Sequence, residues 1–520
     1  MTDYSANNKR IAKNTLFLYF RMIIIMLVSL FTSRVVLDAL GEDNYGIYNV
    51  VGGVVAMFSI FSGPLSSAIQ RFLNFELGKG NADKLGRIFS TAVNIQIIMS
   101  IFLAILCEVV GLWFVYHKMT IPTERIPAAV IVLQFSIATF VVNLISIPYN
   151  ADIIAHEKMS AFAFISIIEV LLKLAIAYCI YITGFDKLII YSLLLFIVSL
   201  LIRFIYSIYC TKHFKEAKYS FLVDRTLTQE MFSFAGWNFF GNAAWMFNTQ
   251  GVNLLINSYF GLTANAARAV AEQVNGAVTQ FVNSFMTAMN PQITKSYAVG
   301  DKDYLYSLNC RGVKYSFFII YIFVVPIVLE ADTILKIWLV DVPLETAIFL
   351  RLVLFATVAT VIGNPLYTSI LSTGNIKHYQ IVVSSIAFLV FPFSWIAYHF
   401  GAPAYSTYVI FALAYFIIDF VRLGFAKKLL DFPVKRFLKE VYLKIFVCGI
   451  TCFLAPAFVI FIISPSLWRL ILTCIVSFLW SLGCFYLLGL DKQERVFFAD
   501  KIISFLKNHL CDRNFIKFNH

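Results

Sequence analysis

Residues 88–114 read IFSTAVNIQIIMSIFLAILCEVVGLWF, an apolar run that contains a single charged residue, Glu108. As an α-helix, a run of about 20 apolar residues crosses a hydrocarbon layer about 30 Å thick. Runs of this kind recur from residue 15 to residue 489. The sequence therefore predicts an all-α polytopic membrane protein.

The composition of the whole chain supports this fold class. Of its 520 residues, 60% are hydrophobic and 13% are charged, and the mean hydropathy is +0.80. About 25% of the residues in a soluble globular domain are charged, so a soluble fold is excluded. No polar segment is long enough to fold as a separate domain, which excludes an enzyme with a water-soluble head.

The breaks between apolar runs predict about fourteen spanning helices. They lie at 15–39, 46–73, 88–114, 126–149, 160–183, 188–210, 232–259, 263–290, 312–329, 345–372, 379–399, 404–425, 443–463 and 467–489. With both termini in the cytoplasm, 32 of the 41 Lys and Arg residues fall on cytoplasmic segments, six fall outside and three lie within the membrane. Cytoplasmic loops of membrane proteins carry this excess. The net charge of +12 is thus explained by topology and by contact with anionic membrane lipids, and nucleic acid is not an expected partner.

Three landmarks recur along the chain and predict an internal duplication. Leu40-Gly41 recurs as Phe260-Gly261, the loop at 80–85 recurs at 300–305, and the segment at 148–155 recurs at 365–372. Six helices per repeat give both halves the same orientation, so a pseudo-two-fold axis along the membrane normal relates them. We expect a six-helix lobe at 1–215, a second at 216–430, helices 13 and 14 at 431–490, and a cytoplasmic amphipathic tail at 491–520.

Two predicted helices carry polar residues at helical spacing along their whole length. In helix 8 these are Asn265, Arg268, Glu272, Asn275, Thr279, Asn283, Thr287 and Asn290. In helix 7 they are Asn238, Asn242, Trp245, Thr249, Asn253 and Asn257. Such a stripe cannot face lipid, so it forms either an interhelical hydrogen-bond seam or the wall of a water-filled cavity. The presence of both an arginine and a glutamate favours the cavity, whose candidate substrate-binding residues are Asn238, Asn242, Asn253, Arg268, Glu272, Asn275 and Asn283.

Charged residues within predicted helices are expensive to bury and need partners. Four acids have a basic residue one turn away on the same helix, a spacing that permits a local ion pair. These pairs are Arg34 with Asp38, Glu169 with Lys173, Arg268 with Glu272, and Asp419 with Arg422. Glu108 has no such neighbour, so it pairs with another helix, faces water or is protonated. It is therefore the candidate for ion coupling.

Signals of enzymatic chemistry are absent from the sequence. It contains no phosphate-binding glycine-rich loop, no metal-ligand spacing and no Ser/His/Asp set. We expect no catalytic residue, no cofactor and no metal.

Several motifs resemble those of the bacterial polysaccharide repeat-unit (Wzx-like) flippases, which belong to the superfamily that includes the MATE exporters. The motifs are Ser33–Gly41, Tyr45–Val51, Gln70–Asn74, Pro148–Ala151, Ala288–Ile293 and Gly374–Lys377. The resemblance implies two six-helix lobes around a central cavity that opens alternately to each side. It further implies cavity cations on helices 1, 2 and 8, where this chain has Arg34, Arg71 and Arg268. Arg71 lies at the cytoplasmic end of its helix, so it either captures the diphosphate on entry or simply follows the excess of basic residues on the cytoplasmic side.

The resemblance also implies the substrate. A flippase of this family moves an oligosaccharide linked to undecaprenyl diphosphate from the cytoplasmic to the periplasmic leaflet, for O-antigen, capsule or exopolysaccharide synthesis. Polysaccharide polymerase and assembly proteins are the implied partners, and the bacterial inner membrane is the implied location. The alternative is a MATE-like cation-coupled exporter of small amphiphiles, which would favour an apolar, aromatic cavity with an acidic coupling site.

The predicted topology can be tested with single cysteines in a cysteine-free background. Cysteines that replace Asp43 or Asp186 should react with a membrane-impermeant thiol reagent applied to intact cells, because both positions are predicted to lie outside. Cysteines that replace Lys215 or Lys302 should react only after the membrane is permeabilised. Labelling at position 302 in intact cells would contradict both the helix count and the duplication.

Overall fold

The computed structural model describes residues 4–117, 119, 122–221, 224–339, 342–492 and 494–496, and these residues fold almost entirely into helices. Among the described residues, twelve helices are long and apolar enough to cross a membrane. A further helix, Arg225–Val299, is interrupted at Gly261 and divides into two arms. Counting both arms confirms an all-α polytopic fold of about fourteen helices. The predicted tail at 491–520 lies outside the described residues from position 497 onward.

We number the long helices in chain order and leave the short helix Ala331–Trp338 unnumbered. They are α1 (Tyr4–Leu40), α2 (Asp43–Lys79), α3 (Ala82–His117), α4 (Ile126–Ala155), α5 (Met159–Ile182), α6 (Lys187–His213), α7 (225–260), α8 (262–299), α9 (Lys302–Leu329), α10 (Thr346–Ser372), α11 (Lys377–His399), α12 (Ser406–Leu430), α13 (Val434–Ile462) and α14 (Leu467–Gly489). We call α1–α6 the N lobe and α7–α12 the C lobe.

Many helices extend beyond their predicted ends. For example, α2 continues to Lys79, α7 begins at Arg225 and α9 begins at Lys302. The extensions are rich in polar and charged residues, which an apolar run does not include. Hydrophobicity therefore locates the part of each helix that crosses the hydrocarbon and misses the part that projects beyond it.

The same backbone geometry recurs in both lobes. Gly41 separates α1 from α2 with φ 77° and ψ 164°, and Gly261 separates α7 from α8 with φ 78° and ψ −168°. Glycine is essentially alone in adopting this region. Gly80 and Gly300 end α2 and α8 in the left-handed conformation, and each donates its backbone N–H to the carbonyl three residues earlier. Gly261 lies 220 positions after Gly41, and Gly300 lies 220 positions after Gly80.

Helix packing repeats as well. In the N lobe α1 packs on α5, α3 on α4 and α4 on α6; in the C lobe α7 packs on α11, α9 on α10 and α10 on α12. Hydrogen bonds from Asn248 to the Ala387 carbonyl and from Thr357 to Asn275 fix α7 on α11 and α10 on α8. The first and fifth helices of each lobe are therefore partners, as expected for a duplication.

Helices α13 and α14 lie outside the repeat and pack on α9. Midway along α9, the fully buried Lys314 ammonium contacts Asp491 at 2.8 Å and Glu494 at 2.6 Å. Just beyond the C-terminal end of α9, the buried Glu330 carboxylate accepts two hydrogen bonds from Arg469, at 2.7 and 2.8 Å. Removing one partner of a buried ion pair leaves an uncompensated charge, so these contacts fix α14 along the C-terminal half of α9.

Candidate functional site: a cleft between the two lobes

An exposed strip of small and polar residues runs along α2, and a matching strip runs along α8. On α2 it consists of Gly46, Asn49, Gly53, Ala56 and Gly63; on α8 it consists of Ala266, Ala269, Gln273, Gly276 and Asn283. Each α8 residue lies 220 positions after its α2 counterpart, as from Gly46 to Ala266. Hydrocarbon offers no hydrogen-bond partner to these amides. Both strips therefore need water or another polar group beside them, and we propose that they line a cleft between the lobes.

The cleft is closed at one end. We call the end where α1 begins and α2 and α8 end the N-terminal face, and the end that carries Gly41 and Gly261 the opposite face. Near the N-terminal face α2 and α8 touch, since a Cβ at Gly78 would lie 2.9 Å from the Lys295 carbonyl oxygen. The exposed strips occupy the sections of α2 and α8 towards the opposite face.

Much of the polar stripe predicted on α8 forms a seam within the C lobe. Arg268 is buried, with 7% of its surface exposed, and donates to Asn253 Oδ1 at 3.1 Å and to the Thr249 carbonyl at 3.2 Å. Its guanidinium lies 3.8 Å from Glu272, which accepts a hydrogen bond of 2.6 Å from the Tyr408 hydroxyl.

Asn275 extends this seam to α10. It donates to Glu272 Oε2 at 3.2 Å and accepts a hydrogen bond of 2.7 Å from the Thr357 hydroxyl. The seam therefore links α7, α8, α10 and α12. Asn283 belongs both to the predicted stripe on α8 and to the exposed strip. Gln273 and Gln280 are also exposed, although neither belongs to the predicted stripe.

The candidate residues on α7 also divide between seam and surface. Asn238 is buried, and its Oδ1 accepts a hydrogen bond of 2.9 Å from the Tyr367 hydroxyl of α10. Asn242 is exposed and donates to the Asn238 carbonyl of its own helix at 2.9 Å. Asn253 of α7 accepts a hydrogen bond from the Arg268 guanidinium. Among the candidate substrate-binding amides, Asn242 and Asn283 are thus exposed, as is Asn257 of the predicted stripe.

The three predicted cations lie in two places. Arg34 is exposed on α1, seven residues before Gly41, and Arg268 lies seven residues after Gly261. At 1.5 Å per helical residue, both are about 10 Å from the opposite face, one in each lobe. Arg71 lies towards the N-terminal face, where it donates to the Ser372 carbonyl of the C lobe at 3.1 Å.

Three of the four local ion pairs form. Lys173 and Glu169 are 2.6 Å apart, Arg422 and Asp419 are 2.9 Å apart, and Arg268 and Glu272 are 3.8 Å apart. The fourth predicted pair, Arg34 with Asp38, does not form among the described residues. Asp38 instead accepts a hydrogen bond of 2.6 Å from the Tyr181 hydroxyl of α5. This leaves the Arg34 guanidinium at the surface.

A buried carboxylate joins the lobes at the N-terminal face. Glu157 lies in the turn between α4 and α5, and 1% of its side chain is exposed. It accepts hydrogen bonds from Gln292 at 2.6 Å and Lys295 at 2.7 Å, both on α8 of the C lobe. Arg10 of α1 forms a further ion pair with it at 2.7 Å. We call Glu157, Gln292, Lys295 and Arg10 the latch.

A comparison with protein families identifies the chain. The family model for polysaccharide biosynthesis proteins matches residues 11–297, which is more than half of the sequence. The chain belongs to the polysaccharide biosynthesis protein family. The resemblance read from the sequence motifs is thereby confirmed. A comparison with the curated proteins finds no match.

Solved structures of transporters share the fold. An outward-facing multidrug resistance MATE family transporter of the MOP superfamily is 12% identical, with a TM-score of 0.71 over 82% of this chain and 96% of that one. MATE in the bent conformation is also 12% identical, with a TM-score of 0.69 over 83% and 96%. A MOP superfamily transporter from Pyrococcus furiosus is 12% identical, with a TM-score of 0.67 over 81% and 96%. At these identities the likeness shows the fold alone.

Two contacts in this polysaccharide biosynthesis protein could not be read from its sequence. Glu108 is partly exposed and accepts a hydrogen bond of 2.7 Å from Gln134 of α4, so its partner is an amide on another helix. Glu157 was missed because it lies in a short polar turn with no periodic signal. The repeat could have drawn attention to it, since the position 217 residues later is Gly374, in the equivalent turn of the C lobe.

The latch predicts how the closed end responds to mutation. Glu157→Gln should weaken closure, because it removes the buried carboxylate that pairs with Lys295 of α8 and with Arg10 of α1. Spin labels at Lys158→Cys and Val299→Cys, one in each lobe at the N-terminal face, should then show a larger population at long distance by double electron–electron resonance. Glu169→Gln is the control, since it removes a carboxylate that pairs within α5. An unchanged distance distribution in Glu157→Gln would contradict the latch.

Proposed function

We propose that this transporter is a flippase that moves polyprenyl-diphosphate-linked oligosaccharide from the cytoplasmic to the periplasmic leaflet of the bacterial inner membrane. The observation that carries the proposal is the composition of the cleft walls. Asn49, Gln273, Gln280 and Asn283 offer side-chain amides to solvent. An amide both donates and accepts hydrogen bonds, as a sugar hydroxyl does. The small residues between these amides leave room for sugar rings.

The placement of arginines supports a diphosphate headgroup. Arg34 and Arg268 lie at similar depth in opposite lobes, Arg34 exposed and Arg268 buried in the seam of the C lobe. A planar guanidinium binds phosphate oxygens through two parallel hydrogen bonds. Arg268 Nε is buried and has no hydrogen-bond partner among the described residues, so a donor remains for a ligand. Arg71, near the N-terminal face, is placed to meet the same headgroup as it enters.

The arrangement of the lobes supports alternating access. With both termini in the cytoplasm, as the Lys and Arg distribution predicts, the N-terminal face is the cytoplasmic side and the cleft opens to the periplasm. Loading then requires the latch to separate and the opposite face to close. The undecaprenyl tail stays in the bilayer while the headgroup crosses through the cleft. Polysaccharide polymerase and assembly proteins would receive the product.

The surroundings of Glu272 argue against a cation-coupled drug exporter. Such an exporter needs an acid in its cavity that is free to bind a cation. Glu272 is paired with Arg268 and hydrogen-bonded to Tyr408 and Asn275. Glu108 remains the candidate for proton coupling. The exporter would be favoured instead if proteoliposomes expelled a cationic dye in response to an ion gradient and failed to move lipid-linked sugar.

The assignment of Arg268 predicts a loss of flipping. In proteoliposomes that contain a lipid-linked oligosaccharide, Arg268→Ala should slow the appearance of sugar on the far leaflet by at least about tenfold, the equivalent of one hydrogen bond to a charged group. Arg268→Lys should retain partial activity, because it keeps the charge and loses the fork.

Arg351→Ala is the matched control, because Arg351 pairs with Asp332 outside the cleft. All variants should show the same amount of protein in the vesicles, measured before the assay. Wild-type flipping by Arg268→Ala would overturn the role given to this residue.

A further inference from the structure

A histidine and two carboxylates meet in the N lobe, outside the cleft. Asp152 and His156 lie one turn apart at the end of α4, and Glu216 lies in the segment that follows α6. His156 Nε2 is 2.5 Å from Glu216 Oε1 and 3.8 Å from Asp152 Oδ1. One ligand atom from each of the three residues lies within 4.8 Å of the others. No local sequence pattern indicates this group, because 60 residues separate His156 from Glu216.

Asp152 is fully buried, with 0% of its surface exposed, and neither of its carboxylate oxygens has a hydrogen-bond partner among the described residues. In the same part of the chain, no lysine or arginine forms an ion pair with Asp152 or Glu216. A buried ionised carboxylate is strongly unfavourable unless it is paired or bound to a metal. The side chain of Asp152 points towards His156 and lacks the partner that its burial requires.

We propose that Asp152, His156 and Glu216 bind a divalent transition-metal ion of the Zn²⁺ class. Two carboxylates and a neutral imidazole together balance a charge of +2. An imidazole nitrogen suits zinc, whereas Mg²⁺ and Ca²⁺ prefer oxygen ligands. Tetrahedral zinc places its ligand atoms about 3.3 Å apart, given bonds of about 2.0 Å. The observed separations of 2.5 and 3.8 Å lie on either side of this value, so small side-chain rotations suffice.

Two features position the ligands. The imidazole of His156 stacks on the Phe214 ring, with centroids 4.1 Å apart and planes 7° apart, which fixes its orientation. Asp152 and His156 are four residues apart at the end of α4, so both side chains project from the same face of the helix. Ligand atoms thus come from α4 and from the segment after α6, and the ion joins these two elements.

The site is next to the latch. His156 immediately precedes Glu157, the carboxylate that holds α8. A bound ion therefore fixes the turn that carries Glu157 to the segment after α6. Metal binding would strengthen closure of the N-terminal face. This inference is independent of the transported substrate and stands or falls separately from the flippase proposal.

Zinc binding can be measured directly. Full-length protein without a histidine tag, in lipid nanodiscs, is titrated with Zn²⁺ against a fluorescent chelator that competes for the ion. Wild type should bind one equivalent. Asp152→Asn and His156→Ala should each lower the affinity by at least about tenfold. His213→Ala is the control, because His213 is exposed at the end of α6 and contacts the Tyr209 carbonyl instead. Mg²⁺ should compete weakly.

Thermal unfolding gives a second readout that does not depend on the chelator. A ligand that binds the folded state raises the melting temperature, so Zn²⁺ should raise that of wild type and His213→Ala and leave that of Asp152→Asn unchanged. Glu216→Gln replaces Asp152→Asn if the latter elutes as aggregate in size-exclusion chromatography. Absence of saturable binding in wild type, or equal binding in wild type and the site variants, would overturn the proposal.

Discussion

Hydrocarbon supplies no hydrogen-bond partners, so a polar side chain inside a bilayer must be satisfied by the protein or by water. This constraint governs α7 and α8, the two arms that are not among the apolar spans. Their polar residues meet it in two ways. Arg268, Glu272 and Asn275 pair with neighbouring helices and hold the C lobe together. Gln273, Gln280 and Asn283 are left exposed, which requires water beside them. We infer the cleft from these exposed side chains.

The fold could be read from the sequence because a spanning helix leaves a long, simple signal. The number of helices and the breaks at Gly41 and Gly261 follow from the apolar runs and the repeat. The site was predicted less well. Helical spacing identified a polar side of α8, but adjacent residues are only about 100° apart around the helix axis. The seam at Glu272 and the exposed strip at Gln273 are therefore neighbours, and composition alone does not separate them. Contacts between distant segments, such as Glu157 with Lys295, leave no local pattern.

The two lobes share backbone geometry and helix packing and differ in chemistry. Arg268 occupies the position equivalent to Tyr48, whose ring lies 4.9 Å from that of Tyr191 in the N lobe. Glu157, with φ 58°, corresponds to Gly374, with φ 77°. The two lobes share backbone geometry at these positions, but the arginine is present in the C lobe and the glutamate in the N lobe. In our account the C lobe supplies the buried cation of the cleft, and the N lobe supplies the carboxylate that closes its end.

The central claim is that the exposed strips of α2 and α8 line the path of the lipid-linked sugar. Cysteines placed singly along α8, from Ala266 to Asn283, test it most directly when a hydrophilic thiol reagent is applied with and without substrate. The account predicts labelling at Gln273, Gly276, Gln280 and Asn283, where the side chains are exposed, and little labelling at the buried Ala271, Val278 and Val282. Lipid-linked oligosaccharide should slow labelling of the exposed set. Labelling without helical periodicity, or labelling that substrate leaves unchanged, would contradict the account.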